Sequence, residues 1–224
     1  MTNEPAADRY THGHHPSVVS RHARRSAERE AAYLLPRLRP GMRLLDVGCG
    51  PGTITTGLAR AVAPAEVVGI DVSEEVVATA RAHAADVGAT NARFAVANVY
   101  ALPDPDATYD VVHAHQVMQH LARPAEALRE MRRVLRPGGI VAVRDADYAS
   151  MIAWPRSPHL DRWLAVYHEV ARRNGADADA GRRLRAWVTG AGFAEVQVSA
   201  VVELMADRSE EHTSELQSRL HLVC

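Results

Sequence analysis

The sequence contains no lysine, so every basic side chain is an arginine. Mechanisms that need a lysine Schiff base or the lysine of a phosphate-binding loop are therefore excluded. Only two cysteines occur, Cys49 and Cys224, and their wide separation indicates neither a disulfide framework nor a thiolate zinc site. Neither charge dominates, because 26 basic residues face 27 acidic ones and the formal net charge is -1. This balance argues against a nucleic-acid-binding protein, which carries a strong basic excess.

Long apolar runs are also missing. No stretch reaches the ~18 apolar residues of a membrane span, and the first residues lack the apolar core of a signal peptide. We therefore expect a cytoplasmic protein without a membrane span. The length of 224 residues, 47% of them hydrophobic, suits one globular domain. Such a domain buries roughly 70% of the surface that its unfolded chain exposes.

Short apolar segments alternate with helical patterns along most of the chain. We predict strands at residues 43–47, 66–70, 93–97, 110–114, 140–144 and 195–204. Between them, residues 53–63, 73–87 and 124–135 have the pattern of helices. This alternation predicts an α/β fold with a doubly wound, mostly parallel sheet.

The most informative segment is the glycine-rich turn DVGCGPG at residues 46–52, between the first predicted strand and helix. Glycines let a ligand approach the backbone closely, and the N-terminus of the next helix favours an anionic group. The spacing is G-x-G-x-G, because Thr53 stands where a dinucleotide-binding motif has its last glycine. Asp46 lies in the strand before the turn. Asp71 ends the second strand, where a carboxylate can bind both hydroxyls of a ribose.

Five motifs in order resemble those of class I S-adenosylmethionine-dependent methyltransferases, most closely the group whose best-known member methylates ubiquinone and menaquinone precursors. They are DVGCGPG (46–52), GIDVS (69–73), ANVYALP (97–103), the segment from YDVV to QHL (109–121) and LRPGG (135–139). The resemblance covers residues 41–147. It implies a Rossmann-like fold with S-adenosylmethionine as the cofactor.

The resemblance also implies which residues bind the cofactor. The N–H groups of the turn would bind the methionine carboxylate. Asp46 would accept from the α-ammonium group, directly or through water, and Asp71 would bind the ribose. Asn98 stands where the family often has aspartate, and we expect weaker binding of the adenine amine because the charge is lost. Cys49 lies in the turn and is interpreted as small packing rather than as a nucleophile. The expected cofactor-binding residues are Asp46, Gly48, Cys49, Gly50, Gly52, Thr53, Asp71, Val72, Asn98, Val99 and His115.

Three histidines lie at or after the end of the fourth predicted strand. Because the carboxyl ends of such strands face the ligand crevice, we expect His115 near the transferred methyl group. His115 is the first candidate for a general base, and His120 is the second. His113 could equally be a hydrogen-bonded core residue. The His-x-His pair could hold a metal, but no companion ligands accompany it, so we expect no metal site.

Two regions flanking the motifs are predicted to be lids. Residues 1–40 would form an N-terminal helical lid over the cofactor. The main domain would span residues 41–207 and include a helical lid insertion at residues 150–190. The aromatic residues of that insertion could cover an apolar acceptor, or they could simply pack helices together.

The expected function is transfer of a methyl group from S-adenosylmethionine to a small-molecule acceptor by in-line displacement. The acceptor, the atom that is methylated and the oligomeric state do not follow from the sequence. Two alternatives remain open. A nicotinamide-dependent Rossmann oxidoreductase is disfavoured by the glycine spacing. A non-catalytic, methyltransferase-like domain would bind the cofactor without turnover.

Residues 208–224 resemble the translation of a sequencing-library adapter rather than a protein family, with a natural polar helix as the alternative. We therefore expect a non-native tail and a sheet without its last antiparallel strand, which could leave the chain inactive. The strands next to the gap would expose unpaired edges. The short apolar run at residues 220–223 could occupy that place instead.

Overall fold

The computed structural model describes residues 24–203 and 217–223. Its strands form one sheet in the order β3-β2-β1-β4-β5-β7-β6. They are β1 (Leu44–Val47), β2 (Val67–Asp71), β3 (Ala92–Val96), β4 (Tyr109–His115), β5 (Leu135–Asp147), β6 (Gln197–Glu203) and β7 (Gln217–Val223). Strands β1 to β5 pair in parallel, whereas β7 is antiparallel to both neighbours. The predicted α/β fold with a mostly parallel sheet is confirmed.

The helices lie on both faces of the sheet. In the described part of the chain they are α1 (Ala27–Glu30), α2 (Thr53–Val62), α3 (Glu74–Asp86), α4 (Pro124–Val134), α5 (Pro158–Arg173) and α6 (Ala180–Gly190). Sequence signals define where two of them begin. The hydroxyl of Ser73 accepts a hydrogen bond from the N–H of Val76 at the start of α3, and Ser157 does the same for Leu160 in α5.

Alternate residues of the central strands face opposite sides of the sheet. Leu44 packs with α1 and α2, whereas Leu45 and Val47 pack with α4 and α6. All residues of β1 and β4 are buried, as expected for parallel strands that are covered on both faces. Asp46 and its neighbour His113 therefore lie buried on the side of α1 and α2.

One expectation about the sheet is wrong. The sequence predicted that the last antiparallel strand is missing, yet Gln217–Val223 forms β7 between β5 and β6. In the pairing of β5 with β7, the register runs from Ala142↔Val223 to Asp147↔Ser218. Backbone hydrogen bonds satisfy the edges of β5 and β6, and such bonds require no family-specific sequence. Residues 208–216 and 224 lie outside the described residues, and the adapter interpretation stays a prediction.

The regions predicted to be lids differ in how they pack. In the N-terminal region, α1 is a single turn, followed by a 3-10 turn at Leu35–Arg37. Residues 1–23 of the predicted N-terminal lid lie outside the described residues. Helix α5 belongs to a small separate apolar cluster with Tyr148, whereas Leu184 of α6 lies in the main core. No helix within residues 24–203 is long and apolar enough to cross a membrane.

Candidate functional site

The glycine turn after β1 has an open side and a packed side. Gly48, Gly50 and Gly52 adopt φ angles of 67°, 55° and 81°, a region that favours glycine. A Cβ on Gly48 would lie 2.4 Å from Cγ2 of Val117, whereas a Cβ on Gly50 would meet no atom within 4 Å. The turn leads directly into α2, so its open backbone and the helix N-terminus suit the carboxylate of a ligand.

Asp71 lies beside this turn at the end of β2. Its carboxylate accepts hydrogen bonds from the backbone N–H groups of Gly50, at 3.3 Å, and Ser73, at 3.1 Å. The next residue, Val72, is 68% exposed. A half-buried carboxylate beside an exposed apolar side chain offers one surface for ribose hydroxyls and another for a flat ring.

Asp46 is more enclosed than the sequence analysis expected. Its side chain accepts a hydrogen bond from the hydroxyl of Thr55 at 2.5 Å and lies 2.7 Å from Nδ1 of His113. All three residues are buried. A ligand ammonium group would therefore have to share the Asp46 oxygens with these two partners. The bond to Asp46 supports the interpretation of His113 as a hydrogen-bonded core residue.

The segment after β3 reaches the same edge of the sheet. The exposed side chain of Asn98 accepts a hydrogen bond from the N–H of Tyr100 at 3.0 Å, while Val99 is buried in the main core. The guanidinium of Arg123 lies 4.2 Å from the centre of the Tyr100 ring. This contact links the segment after β3 to the segment after β4. Because β2 and β3 are adjacent, Asn98 and Val72 follow neighbouring strand ends.

Cys49 is buried within the turn, and its N–H donates to the carbonyl of Ile70 at 2.9 Å. Burial raises the pKa of its thiol far above the ordinary value, and the charges of Asp46 and Asp71 act in the same direction. A thiol that stays protonated is a poor nucleophile. This environment supports the interpretation of Cys49 as a packing residue.

His115, at the end of β4, faces a buried ion pair. Its neighbour across the strands is Arg144 of β5, whose Nη1 donates to the carbonyl oxygen of Glu30 at 3.0 Å and to the Glu30 carboxylate. Nε2 of His115 lies 3.7 Å from the same carboxylate oxygen. Only 4% of the Glu30 side chain, 3% of His115 and 1% of Arg144 are exposed. We call these three side chains the Glu30 cluster.

The sequence pattern indicated His115 but neither of its charged neighbours. A signal for Arg144 existed, because this arginine directly follows the apolar strand segment IVAV and ends the predicted strand. Glu30 gave no signal, since it is one of several charged residues in a polar segment. Its role depends on contact with a residue 114 positions away.

His120 has different neighbours from His115. It lies in the 3-10 turn Met118–His120, where its Nε2 is 3.0 Å from the side-chain nitrogen of Gln119. The backbone N–H of Gln119 donates to the buried carboxyl of Asp145 at 3.0 Å. Burial raises the pKa of Asp145 to about 8, although hydrogen bonds from the backbone of this turn act in the opposite direction. Asp145 thus connects β5 to the turn that carries His120.

No metal-binding group of three or more histidine, cysteine, aspartate or glutamate residues occurs among the described residues.

Comparison with known proteins identifies the family. A model described as a methyltransferase domain matches residues 38–191. An uncharacterized methyltransferase of Schizosaccharomyces pombe is 34% identical over 221 residues, covering 95% of this chain and 78% of that protein. A probable methyltransferase of Aspergillus luteorubrus is 35% identical over 189 residues, with coverages of 80% and 66%. A SAM-dependent methyltransferase from Aquifex aeolicus has a similar fold, with a TM-score of 0.63 at 21% identity and coverages of 93% and 97%.

The fold and these matches define a Rossmann-like methyltransferase domain, and the chain belongs to the methyltransferase domain family. It is an S-adenosylmethionine-dependent methyltransferase. The residues present fit this cofactor, because Gly50 is open, Asp71 is half-buried and Val72 is exposed beside it. The matches give no support to the oxidoreductase alternative.

Proposed function

We propose that the methyl acceptor is a small molecule with a hydroxyl group and that His115 removes the hydroxyl proton. The observation that carries this proposal is the position of His115 at the carboxyl end of β4. This strand pairs directly with β1, which leads into the glycine turn. Ligands of open α/β sheets bind at these carboxyl ends. His120, one turn further along the chain, is the second candidate base.

The names of two relatives support an oxygen acceptor. The 27-O-demethylrifamycin SV methyltransferase of Amycolatopsis mediterranei is 43% identical over 116 residues, which are 51% of this chain and 42% of that enzyme. A ubiquinone biosynthesis O-methyltransferase of Aeromonas salmonicida is 38% identical over 104 residues, with coverages of 46% and 42%. Each match spans less than half of the relative. The likeness to quinone-type methyltransferases therefore serves only as support for the proposed oxygen acceptor.

In this proposal each loop holds a different part of the cofactor. The backbone of the turn binds the methionine carboxylate, with Asp46 near the α-ammonium. Asp71 binds the ribose, Val72 packs on one face of adenine, and Asn98 accepts from the adenine amine. The remaining contacts come from Gly48, Cys49, Gly50, Gly52, Thr53, Val99 and His115.

When bound, S-adenosylmethionine supplies a methyl group on a positively charged sulfur, and transfer to oxygen breaks the carbon–sulfur bond with its electron pair left on sulfur. His115 takes the hydroxyl proton as the new bond forms, which raises the reactivity of the oxygen. The turn and Asp71 hold the donor in line with the acceptor. The low exposure of the Glu30 cluster keeps water away from this end of β4.

We propose further that the insertion at residues 150–190, which contains α5, and residues 1–40 form lids over the acceptor and the cofactor. Support comes from two aromatic residues of α5 and from Tyr148, which follows β5. The rings of Trp163 and Tyr167 stack with centroids 5.2 Å apart, and Tyr148 lies 4.3 Å from Tyr167. This cluster gives the lid an apolar lining for an aromatic acceptor. The expectation of a cytoplasmic location stays a prediction.

The test measures release of S-adenosylhomocysteine with catechol, 3,4-dihydroxybenzoate and hydroquinone as acceptors. We expect turnover with at least one of them, and a loss of about 100-fold or more in His115→Asn. His159→Asn, an exposed histidine of α5, is the control and should retain the rate. A full rate in His115→Asn together with a large loss in His120→Asn would transfer the role of base to His120. Cofactor binding without turnover would favour the non-catalytic alternative.

A further inference from the structure

The Glu30 cluster joins three parts of the chain at the proposed reaction centre. Glu30 comes from α1, His115 from the end of β4 and Arg144 from β5. The Nη1 group of Arg144 donates to both the carbonyl oxygen and the carboxylate of Glu30, so one guanidinium fixes the backbone and the side chain together. The Glu30 carboxylate therefore has a defined position relative to the strand ends.

Such a cluster needs an explanation beyond stability. Removing charged groups from water is unfavourable, and well-packed apolar residues of similar volume often stabilise a protein as much or more. Apolar contacts already hold α1 in place, because Ala27, Ala31 and Leu34 are fully buried against α2 and β1. The position of the cluster at the carboxyl ends of β4 and β5, where ligands bind in this fold, points to a role in chemistry.

We propose that Glu30 is a positioning residue that sets the orientation and tautomer of the His115 imidazole, an inference that rests on the proposed function. The Glu30 carboxylate accepts from Nε2–H and so selects one tautomer and one orientation of the ring. Arg144 holds the carboxylate in place through its hydrogen bonds to Glu30. A carboxylate that selects the tautomer of a catalytic histidine is a recurring arrangement in enzymes.

The distance between His115 and Glu30 is the geometric support for this role. Nε2 of His115 is 3.7 Å from the Glu30 carboxylate, which is longer than a hydrogen bond. Catalytic hydrogen bonds are often long before substrates bind and shorten in the complex.

The experiment follows the His115 ring nitrogens by 15N NMR in the full chain, with and without S-adenosylmethionine. We expect the Nε2–H tautomer to predominate in the unmodified protein. In Glu30→Met the acceptor is removed at similar side-chain volume, and a mixture of both tautomers should appear. Glu30→Gln should restore the Nε2–H tautomer, because its amide oxygen can still accept. An unchanged tautomer in Glu30→Met would overturn the proposal.

The matched control is Glu28→Met in the same short helix. Glu28 is 63% exposed and lies 3.7 Å from Arg60 on the surface, so its substitution should leave the His115 signals unchanged. Glu30→Met could unfold the protein, because it leaves Arg144 buried without its carboxylate. Glu30→Met/Arg144→Met removes both charges and should show the same tautomer mixture. Retention of the Nε2–H tautomer in this folded double variant would also overturn the proposal.

Cofactor binding separates this inference from the proposed function. Isothermal titration with S-adenosylmethionine tests the cofactor site in every variant, and we expect similar affinities in Glu28→Met and Glu30→Gln. Binding with a normal His115 tautomer in Glu30→Met would contradict only the positioning role. Normal methyl transfer by His115→Asn would contradict the proposed base, whatever the tautomer.

Discussion

Oδ2 of Asp71 lies 3.3 Å from the backbone nitrogen of Gly50, so the end of β2 is hydrogen-bonded to the glycine turn after β1. The other oxygen, Oδ1, lies 3.1 Å from the backbone nitrogen of Ser73. One carboxylate thus connects two loops that in our proposal hold different parts of the cofactor. Its removal should affect binding of the cofactor and the relative position of the loops.

Asp71→Ala should weaken binding of S-adenosylmethionine at least about tenfold. Hydrogen bonds to a charged group contribute roughly 1.5–3 kcal/mol, and about 1.4 kcal/mol corresponds to a tenfold change. Isothermal titration measures the affinity. Asp86→Ala, an exposed aspartate at the end of α3, is the control and should bind normally. An unchanged affinity in Asp71→Ala would contradict the proposed ribose contact.

Gly48→Ala should destabilise the protein more than Gly88→Ala. Both glycines have a φ of 67°, so the strain that a positive φ imposes on alanine is matched in the two variants. Only at Gly48 would the new methyl group meet Val117, at 2.4 Å, whereas no atom lies within 4 Å at Gly88. We expect a difference of about 1–3 kcal/mol in the free energy of unfolding, measured with urea.

Val117→Ala in the Gly48→Ala background tests the cause of that difference. Trimming Val117 removes the atom that the new methyl group would meet, so part of the lost stability should return. A further loss of stability equal to that of Val117→Ala alone would show that the two side chains do not interact.

Asp145→Asn should reduce the dependence of stability on pH. Burial raises the pKa of Asp145 in the folded protein to about 8 from its ordinary value of 3.8. Between these pH values the folded state holds a proton that the unfolded state has lost, so the free energy of unfolding falls as the pH rises. Asparagine removes this titration and still accepts from the N–H of Gln119.

Urea unfolding from pH 4 to 9 measures this effect. The free energy of unfolding should fall less with rising pH in Asp145→Asn than in the unmodified protein. Asp86→Asn removes an exposed carboxyl and should follow the profile of the unmodified protein. Parallel profiles for Asp145→Asn and the unmodified protein would show that Asp145 does not titrate in this range.

A chain that ends at Asp207 should be less soluble than the full chain. Removing the residues after 207 takes away β7, and the backbone groups of β5 and β6 that face it lose their partners. Unpaired strand edges promote association between molecules. Sedimentation should show aggregates for this variant, whereas a chain that ends at Val223 retains β7 and should behave like the full chain. A soluble shortened monomer would contradict the structural role of β7.

The regular elements could be predicted closely where the local pattern is strong. The predicted strand at residues 110–114 is Tyr109–His115, and the predicted helix at residues 124–135 is Pro124–Val134. The fifth strand was underestimated, because Leu135–Asp147 extends well beyond residues 140–144 on both sides. Its ends are decided by pairing with β4 and β7, and a local pattern contains no information about those partners.

The same distinction between local pattern and distant partners applies to the candidate site. The sequence by itself determined the glycine turn, the acidic end of β2 and the position of His115 at a strand end, because these features depend on residues close together along the chain. Only the tertiary structure decided that Glu30 and Arg144 meet beside His115 and that Gln217–Val223 completes the sheet. Those contacts join distant segments, and long-range packing, not local preference, determines which of many charged residues and strand edges become partners.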